Sequence, residues 1–321
     1  MSAQTFSNEN IKTTLKQPVV LVSLLTVVMW IGSSLSITGF NTWSHNITFA
    51  QSAVYLGFMA VGQAIVVISG GFDLSIANVV TMSSVITSGM IQGGYSSAVA
   101  IGTALFMAAV VGCFNAAGVT FLRIPPMIMT LATMTIIEGA LLIATSGTPP
   151  FGVPPLVTFL AKGQFIPGIP NVLLIYLVFM ALMVWFMLFA KWGRRIYTMG
   201  TNERAAWLSG VRIFPMKFLV YIISSLCGGI SGILLLGYIG STYLTIGQPY
   251  MMFTVAATVM GGIAITGGKG NFAGIIAGTF LFIIIKDILQ VIRMPQAGRE
   301  LAQGLLILLM ILLYGREKRQ R

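Results

Sequence analysis

Ten long apolar runs succeed one another along this chain of 321 residues and leave little sequence between them. A helix that crosses a bilayer needs about 20 residues, because each residue adds 1.5 Å along a hydrocarbon path of about 30 Å. Charged residues make up 8% of the chain, whereas a soluble domain carries about 25%, so a polar surface around one core is excluded. The expected fold class is therefore all-α, a polytopic membrane protein with about ten transmembrane helices over 18–38, 50–69, 74–91, 97–121, 127–145, 171–190, 217–239, 250–266, 272–286 and 300–314.

The basic residues predict the orientation of these spans. Lys and Arg number 18 against 7 Asp and Glu, and 14 of the 18 fall on the inner side if the N-terminus is placed inside. Because basic loops stay on the cytoplasmic side, the excess positive charge is explained without a nucleic-acid partner, and both termini are predicted to be cytoplasmic. The expected organisation is a cytoplasmic tail (1–17), one transmembrane domain (18–315) that includes a cytoplasmic loop (191–216), and a second cytoplasmic tail (316–321).

Glycine and proline interrupt several of the predicted spans. Gly70-Gly71 stands just before the third run, Pro125-Pro126 opens the fifth, and Gly247-Gln248-Pro249 precedes the eighth. Irregular backbone at membrane depth persists only where it is buried in protein or lines a water-filled cavity, so broken or short helices typical of a transporter are expected. The alternative is that each interruption is a tight turn at the membrane surface.

Polar side chains inside the spans are few, and an intramembrane carboxylate is a functional candidate because its insertion costs about 2.5–3.5 kcal/mol at the bilayer centre. The candidates for the lining of a substrate path are Gln63, Asp73, Asn115, Thr130 and Glu138. Each also has a structural interpretation, since the same residue types form hydrogen bonds between helices. Asp73 in particular can cap the third helix and stabilise its N-terminal dipole.

The sequence offers no site for catalysis. It contains neither a paired-carboxylate pattern nor a nucleophile with a base, so a membrane enzyme is disfavoured. The segment Gly267-Gly268-Lys269-Gly270 lacks both the glycine spacing and the Ser or Thr of a phosphate-binding loop. We therefore predict no catalytic residues, no metal ligands and no cofactor bound by this chain.

The cytoplasmic loop contains a predicted short helix over 202–210. Asn202 is its expected N-cap, Glu203 lies in the first turn, Ala205-Ala206 favour helix, and Gly210 ends it. Gly200 and Gly210 are expected to provide turns on either side. A helix this short is only marginally stable in water unless another surface packs against it. A docking partner is expected to provide that surface. The alternative is a helix that rests on lipid headgroups with Trp207 as its anchor.

Five motifs in this order resemble those of one transporter family. The loop pattern G-R-x-x-Y-A-x-G-x-N-x-x-A-A-x-x-S-G-[IV] is matched at Gly193, Arg194, Tyr197, Gly200, Asn202, Ala205, Ala206, Ser209, Gly210 and Val211. The other four are G-G-x-D-L-S-[VI] at 70–76, P-[PSA]-x-[IV]-x-T-L-x-T at 125–133, G-x-P-Y at 247–250 and G-G-x-x-x-x-G-G-[RK]-G at 261–270. Together they resemble the membrane-spanning permease subunit of ABC importers for monosaccharides, the ribose, xylose and arabinose type, over about residues 50 to 315.

The resemblance implies an ABC importer permease fold and a set of partners. It implies a bacterial inner-membrane subunit that pairs with a second copy or a related permease chain and receives a monosaccharide from a periplasmic binding protein. ATP and Mg²⁺ are then bound by separate ATPase subunits, which dock on the cytoplasmic loop. The residues implied in that coupling are Gly200, Asn202, Glu203, Ala205, Ala206, Ser209 and Gly210.

Two positions depart from the family pattern and bear on the solute. Glu138-Gly139 replaces the usual Arg-Gly of the fifth span, and Asn115-Ala116 replaces the usual Asn-Gly of the fourth. Both departures could alter which solute the path accepts, so the particular sugar stays open. Two rival functions also stay open. One is a proton-coupled secondary transporter that uses Asp73 or Glu138, and the other is an ABC permease for another small solute, a branched-chain amino acid or a nucleoside.

Overall fold

Thirteen helices form the part of the chain that the computed structural model describes, residues 18–316. The predicted tail over 1–17, and all but the first residue of the tail over 316–321, lie outside the described residues. The helices are α1 (Pro18–Ser36), α2 (Trp43–Ile68), α3 (Ile76–Gln92), α4 (Ser97–Thr120), α5 (Pro126–Thr145), α6 (Pro155–Lys162), α7 (Asn171–Phe189), α8 (Lys191–Thr201), α9 (Glu203–Leu208), α10 (Ile213–Ile239), α11 (Tyr250–Met260), α12 (Gly274–Val291) and α13 (Gln296–Arg316). Within 18–316 the only β-structure is an isolated bridge between Ile166 and Ile169, so the all-α class is confirmed.

Each of the ten apolar runs contains one helix, but the helices differ in length. Seven of them in the described chain are long and apolar enough to cross a membrane, which makes this a multi-pass membrane protein. The helices α3 and α11 are apolar but shorter, so the count of ten full spans is approximate. The eighth run was predicted to continue to 266, but α11 ends at Met260 because Gly261-Gly262 follows and Gly262 has a φ of +84°.

Hydropathy did not reveal the helices α6 and α8. The first lies inside the proline-rich connection 146–170, and the second occupies the start of the basic loop. Helix α8 buries Ile196 and Met199 while Arg194 and Arg195 stay exposed. It is therefore an amphipathic helix whose basic face hides its apolar stripe from a search for long apolar runs.

Helix α10 is at the centre of the packing and lies against α2, α3 and α4. Small residues make this possible, because a side chain on Gly232 would meet the backbone of Val80 and one on Gly112 would meet the backbone of Ile222. Helix α12 packs against α1, α2 and α11, whereas α5 lies at the edge and packs mainly on α3 and α4.

The loops predicted to be cytoplasmic share one end of the molecule. The backbone N–H of Gly268 donates to the Ile68 carbonyl (2.8 Å), and the Tyr197 hydroxyl donates to the Gly270 carbonyl (3.1 Å). At the opposite end, the Ser88 hydroxyl donates to the Pro150 carbonyl (3.1 Å). The alternation of loops predicted from the basic residues therefore agrees with the packing.

The short helices α3 and α11 both begin deep inside the bundle. Ile76, the first residue of α3, lies against Gly228, which is more than halfway along α10. Residues 69–75 therefore descend to the middle of the bundle from the end that holds the loops predicted to be cytoplasmic. From the other end, residues 240–249 descend to a hydrogen bond between the Gly247 N–H and the Thr81 hydroxyl (3.1 Å). These two segments are re-entrant and contain the interruptions Gly70-Gly71 and Gly247-Gln248-Pro249, for which broken helices and tight surface turns were both considered.

Candidate functional site

A buried polar network surrounds the start of α3. The carboxylate of Asp73 accepts hydrogen bonds from the Ser75 backbone N–H (3.0 Å), the Ser75 hydroxyl (2.6 Å) and the Ser224 hydroxyl (2.7 Å). The Asn115 amide donates to the Ser75 hydroxyl oxygen (2.8 Å), and the Thr133 hydroxyl donates to the Asn115 side-chain oxygen (2.6 Å). All five side chains are buried. The network therefore joins α3, α4, α5 and α10 at mid-depth.

Two of the five predicted path residues belong to this network and a third lies beside it. Asp73 and Asn115 are members, and the Thr130 hydroxyl accepts from the Leu74 N–H (3.1 Å) and donates to the Pro126 carbonyl (2.9 Å). Their side chains are thus engaged inside one chain. Sequence reasoning missed Ser75, Thr133 and Ser224, although Ser75 lies within the 70–76 motif and Thr133 within the 125–133 motif.

The capping role considered for Asp73 takes a different form from the one expected. The N-cap residue of α3 is Ser75, which makes no side-chain capping hydrogen bond. Asp73 lies two residues earlier and still accepts the Ser75 N–H. The physical reason is that residues 70–74 form a bent re-entrant segment, so the carboxylate approaches the helix start from outside the first turn.

Gln63 and Glu138 lie apart from the network. Gln63 is fully buried in α2, and neither its amide nitrogen nor its oxygen has a hydrogen-bond partner within the described residues. Glu138 is half-buried in the middle of α5 and belongs to none of the hydrogen bonds and ion pairs found between residues 18 and 316. The structure therefore brings three of the five predicted residues together and leaves these two separate.

A cavity of about 630 Å³ lies at the end of the bundle that holds the loops predicted to be cytoplasmic. Its walls include the re-entrant glycines Gly70-Gly71, the loop residue Arg123, and Glu203 and Lys217. Tyr221 also lines it. None of the five predicted path residues lines this cavity.

Helix α9 has the cap that the sequence predicted. The Asn202 side-chain oxygen accepts from the Ala205 N–H (3.0 Å), and Gly210 follows the helix with a φ of +83°. The helix itself spans six residues, Glu203–Leu208. The Ser209 hydroxyl donates to the Ala205 carbonyl (2.9 Å) at its end.

One side of α9 is bound to the rest of the chain and the other is free. Ala206 is buried, and the Lys217 ammonium donates to the Glu203 carboxylate (2.9 Å), which ties α9 to the start of α10. Ala205 is exposed, and so are two large apolar side chains, Trp207 (64%) and Leu208 (71%). An exposed apolar surface of this kind marks a contact with a partner or a membrane.

Gly200 has a different structural role from the turn that was expected. It lies within α8, where its Cα packs against the Ile68 carbonyl and the Gly268 N–H, and a Cβ there would collide with both. The absence of a side chain thus permits close approach of α8 to the end of α2. The expected turn on this side of α9 is made at Asn202, which has an extended backbone.

Comparison with known proteins adds family relationships to this geometry. Residues 46–314 match the family described as "Branched-chain amino acid transport system / permease component". The ribose import permease protein RbsC of Bacillus subtilis (strain 168) is 32% identical over 80% of this chain and 80% of its own length. The autoinducer 2 import system permease protein LsrC of Shigella flexneri is 28% identical over 83% of this chain and 78% of its own.

A solved structure also matches at low identity. It is an inward-facing ABC transporter of the metal-chelate type, which is 13% identical, covers 93% of this chain and 98% of its own chain, and has a TM-score of 0.49.

Proposed function

This chain belongs to the family of branched-chain amino acid transport system permease components, and on that premise we propose that it forms the membrane path of an ATP-driven importer for a monosaccharide. It is a permease subunit of the ABC type, and the sugar is the proposed part. Two observations support a sugar: the similarity to a ribose import permease, and the five motifs that resemble the monosaccharide permeases. The observation that carries the mechanism is the free face of the capped helix α9.

The proposed partners follow from that helix and from the family. Two cytoplasmic ATPase subunits dock on α9 and on its counterpart in a second permease chain, and a periplasmic binding protein delivers the sugar to the outer end. The coupling residues proposed here are Gly200, Asn202, Glu203, Ala205, Ala206, Ser209 and Gly210. ATP and Mg²⁺ bind the ATPase subunits, and this chain carries out no chemistry.

Force from the ATPase has a direct route into the membrane. A displacement of α9 moves Glu203, and the ion pair with Lys217 passes the movement to the second turn of α10. Because α10 packs against α2, α3 and α4, its rotation rearranges the centre of the bundle. Packed helices have discrete arrangements, so such a push shifts the path between outward-facing and inward-facing states.

The membrane orientation is a testable part of the proposal. The loop that holds α9 should be cytoplasmic, and the connection that holds α6 should be periplasmic, with the chain in a bacterial inner membrane and both termini inside. In a chain whose native cysteines have been replaced, we expect an impermeant thiol reagent added to intact cells to label Thr158→Cys and to spare Arg204→Cys, since both positions are exposed. After lysis both should react. Labelling of position 204 in intact cells would overturn the orientation.

The proposed solute can be tested against the alternatives within the same family. Proteoliposomes that contain the permease, its ATPase and its binding protein should take up labelled D-ribose or another pentose when ATP is enclosed with the ATPase. Unlabelled pentose should compete, whereas leucine and adenosine should not. Uptake of leucine or adenosine in place of the pentose would assign the chain to another solute while leaving the ABC mechanism intact.

A further inference from the structure

Residues 240–249 expose polar side chains as they descend from the end of α10 to the middle of the bundle. The Gly247 N–H bonds to Thr81 one turn into α3, and Gly247 packs directly against the Ala77 backbone. Along this descent the side chains of Tyr243, Thr245 and Gln248 are exposed on the surface of the single chain, Gln248 beside the deep Gly247. Lipid cannot cover such a surface, because irregular backbone at membrane depth is stable only against protein or water.

Glu138 lies at the same depth on the neighbouring helix. The Asn78 amide donates to the Met134 carbonyl (2.7 Å), which aligns the first turn of α3 with the turn of α5 before Glu138. Leu244 of the re-entrant segment packs against a small buried cluster that includes Ile137 and Leu141 of α5. Glu138 and residues 240–249 therefore lie beside the same apolar cluster, and both are partly exposed on the surface of the chain.

The Glu138 carboxylate is unlike any other group in α5. It is the only charged residue in Pro126–Thr145, it is half-exposed, and it takes part in none of the hydrogen bonds or ion pairs found over the described chain. A carboxylate near the bilayer centre faces water or a polar partner, since exposure to lipid costs several kcal/mol. The apolar residues Ile136 and Ile143 of the same helix are also exposed, as expected for a lipid-facing side.

We infer that Glu138 and the exposed side chains of residues 240–249 form one water-lined face of the solute path, completed by a second copy of this chain, and that Glu138 makes this face select against anionic solutes. The inference rests on the proposed permease function and adds a selectivity to it. The face carries acceptors and neutral donors but no basic side chain, and a two-fold partner doubles its negative charge. It suits neutral or cationic polyols and disfavours sugar phosphates and sugar acids.

Thiol accessibility tests the water-lined face without any need for transport. In a chain with Cys113 and Cys227 replaced, single cysteines are placed at 138, 245 and 248, and matched controls are placed at 136 and 143 on the other side of α5. Hydrophilic methanethiosulfonates should label the first group at least about tenfold faster than the second, because the thiolate that reacts forms in water and not in lipid. Equal, slow labelling of both groups would overturn the inference.

The charge effect is measured at Gln248→Cys with and without Glu138→Gln. A cationic reagent (trimethylammonium-ethyl methanethiosulfonate) is compared with an anionic one (sulfonato-ethyl methanethiosulfonate). We expect Glu138→Gln to lower the cation-to-anion rate ratio by about tenfold, the scale on which a charged cleft concentrates counter-ions. An unchanged ratio would show that Glu138 does not set the selectivity.

The outcomes separate this inference from the proposed function. If ATP drives sugar uptake but positions 138, 245 and 248 remain unlabelled, the path lies elsewhere and the inference is wrong. If the positions are labelled as expected but ATP drives no uptake, the proposed function is wrong. Thr245→Cys provides a second test of the face should Glu138→Cys fail to reach the membrane.

Discussion

Replacing Ala205 with Glu is expected to release the ATPase subunits while leaving the permease folded in the membrane. Ala205 is exposed on the free side of α9, so a larger side chain there meets no atom of its own chain. Glu favours helix and suits the first turn, so the cap on Asn202 should persist. In a docked complex the new carboxylate would be buried without a partner, which costs more than about 1.4 kcal/mol and therefore at least about tenfold in affinity.

The measurement is co-purification of the ATPase together with sugar-stimulated ATP hydrolysis. Both should fall about tenfold or more, with the amount of permease in the membrane unchanged. Ala205→Ser is the matched control, since it adds one atom and no charge and should retain both activities. If Ala205→Glu still binds its ATPase and transports normally, α9 is not the coupling helix. It would then be a surface helix that rests on the headgroups through Trp207 and Leu208.

Removing the Asp73 carboxylate is expected to damage folding rather than transport selectivity. Asp73→Ala leaves the Ser75 N–H, the Ser75 hydroxyl and the Ser224 hydroxyl without their acceptor in the centre of the bundle. Each buried donor left unsatisfied costs about 1–3 kcal/mol, so the loss of all three is expected to cost about 3–9 kcal/mol. Asp73→Asn keeps one acceptor oxygen, so its stability should lie between that of the wild-type chain and that of Asp73→Ala.

Thermal unfolding of the purified chain in detergent tests this role. Glu138→Ala is the matched control, because it removes another carboxylate of the same membrane region that makes no hydrogen bond within the described chain. The unfolding temperature should drop clearly for Asp73→Ala and barely for Glu138→Ala. If Asp73→Ala unfolds normally and instead changes the preferred solute, Asp73 is a path residue and not a structural one.

The order of the ten main helices can be predicted from the sequence, but their depth cannot. Apolar runs marked the ten main helices, and the interruptions Gly70-Gly71 and Gly247-Gln248-Pro249 marked both re-entrant segments. The hydropathy pattern did not predict helix α8, because its apolar face is narrow and its other face is basic. Depth is set by which helices pack together, and composition alone carries no record of that.

The candidate site was only partly predictable for a related reason. In a membrane protein the side of a helix that faces lipid and the side that faces another helix are both apolar, so pattern does not tell them apart. The sequence therefore predicted the polar residues but not which of them lie together. Asp73 and Asn115 are linked through Ser75, whereas the Gln63 side chain makes no hydrogen bond within the described residues. Helix α9 was easier to predict, because the Asn202 cap and the terminating Gly210 affect only the residues next to them in sequence.

The energy source of uptake tests the central claim most directly. Proteoliposomes of the permease with its ATPase and binding protein are compared with ATP and no ion gradient, and with a proton gradient and no ATP. An ABC permease predicts sugar uptake in the first condition, insensitivity to a protonophore, and no uptake in the second. Uptake driven by the proton gradient alone and abolished by the protonophore would contradict the account and identify a proton-coupled transporter.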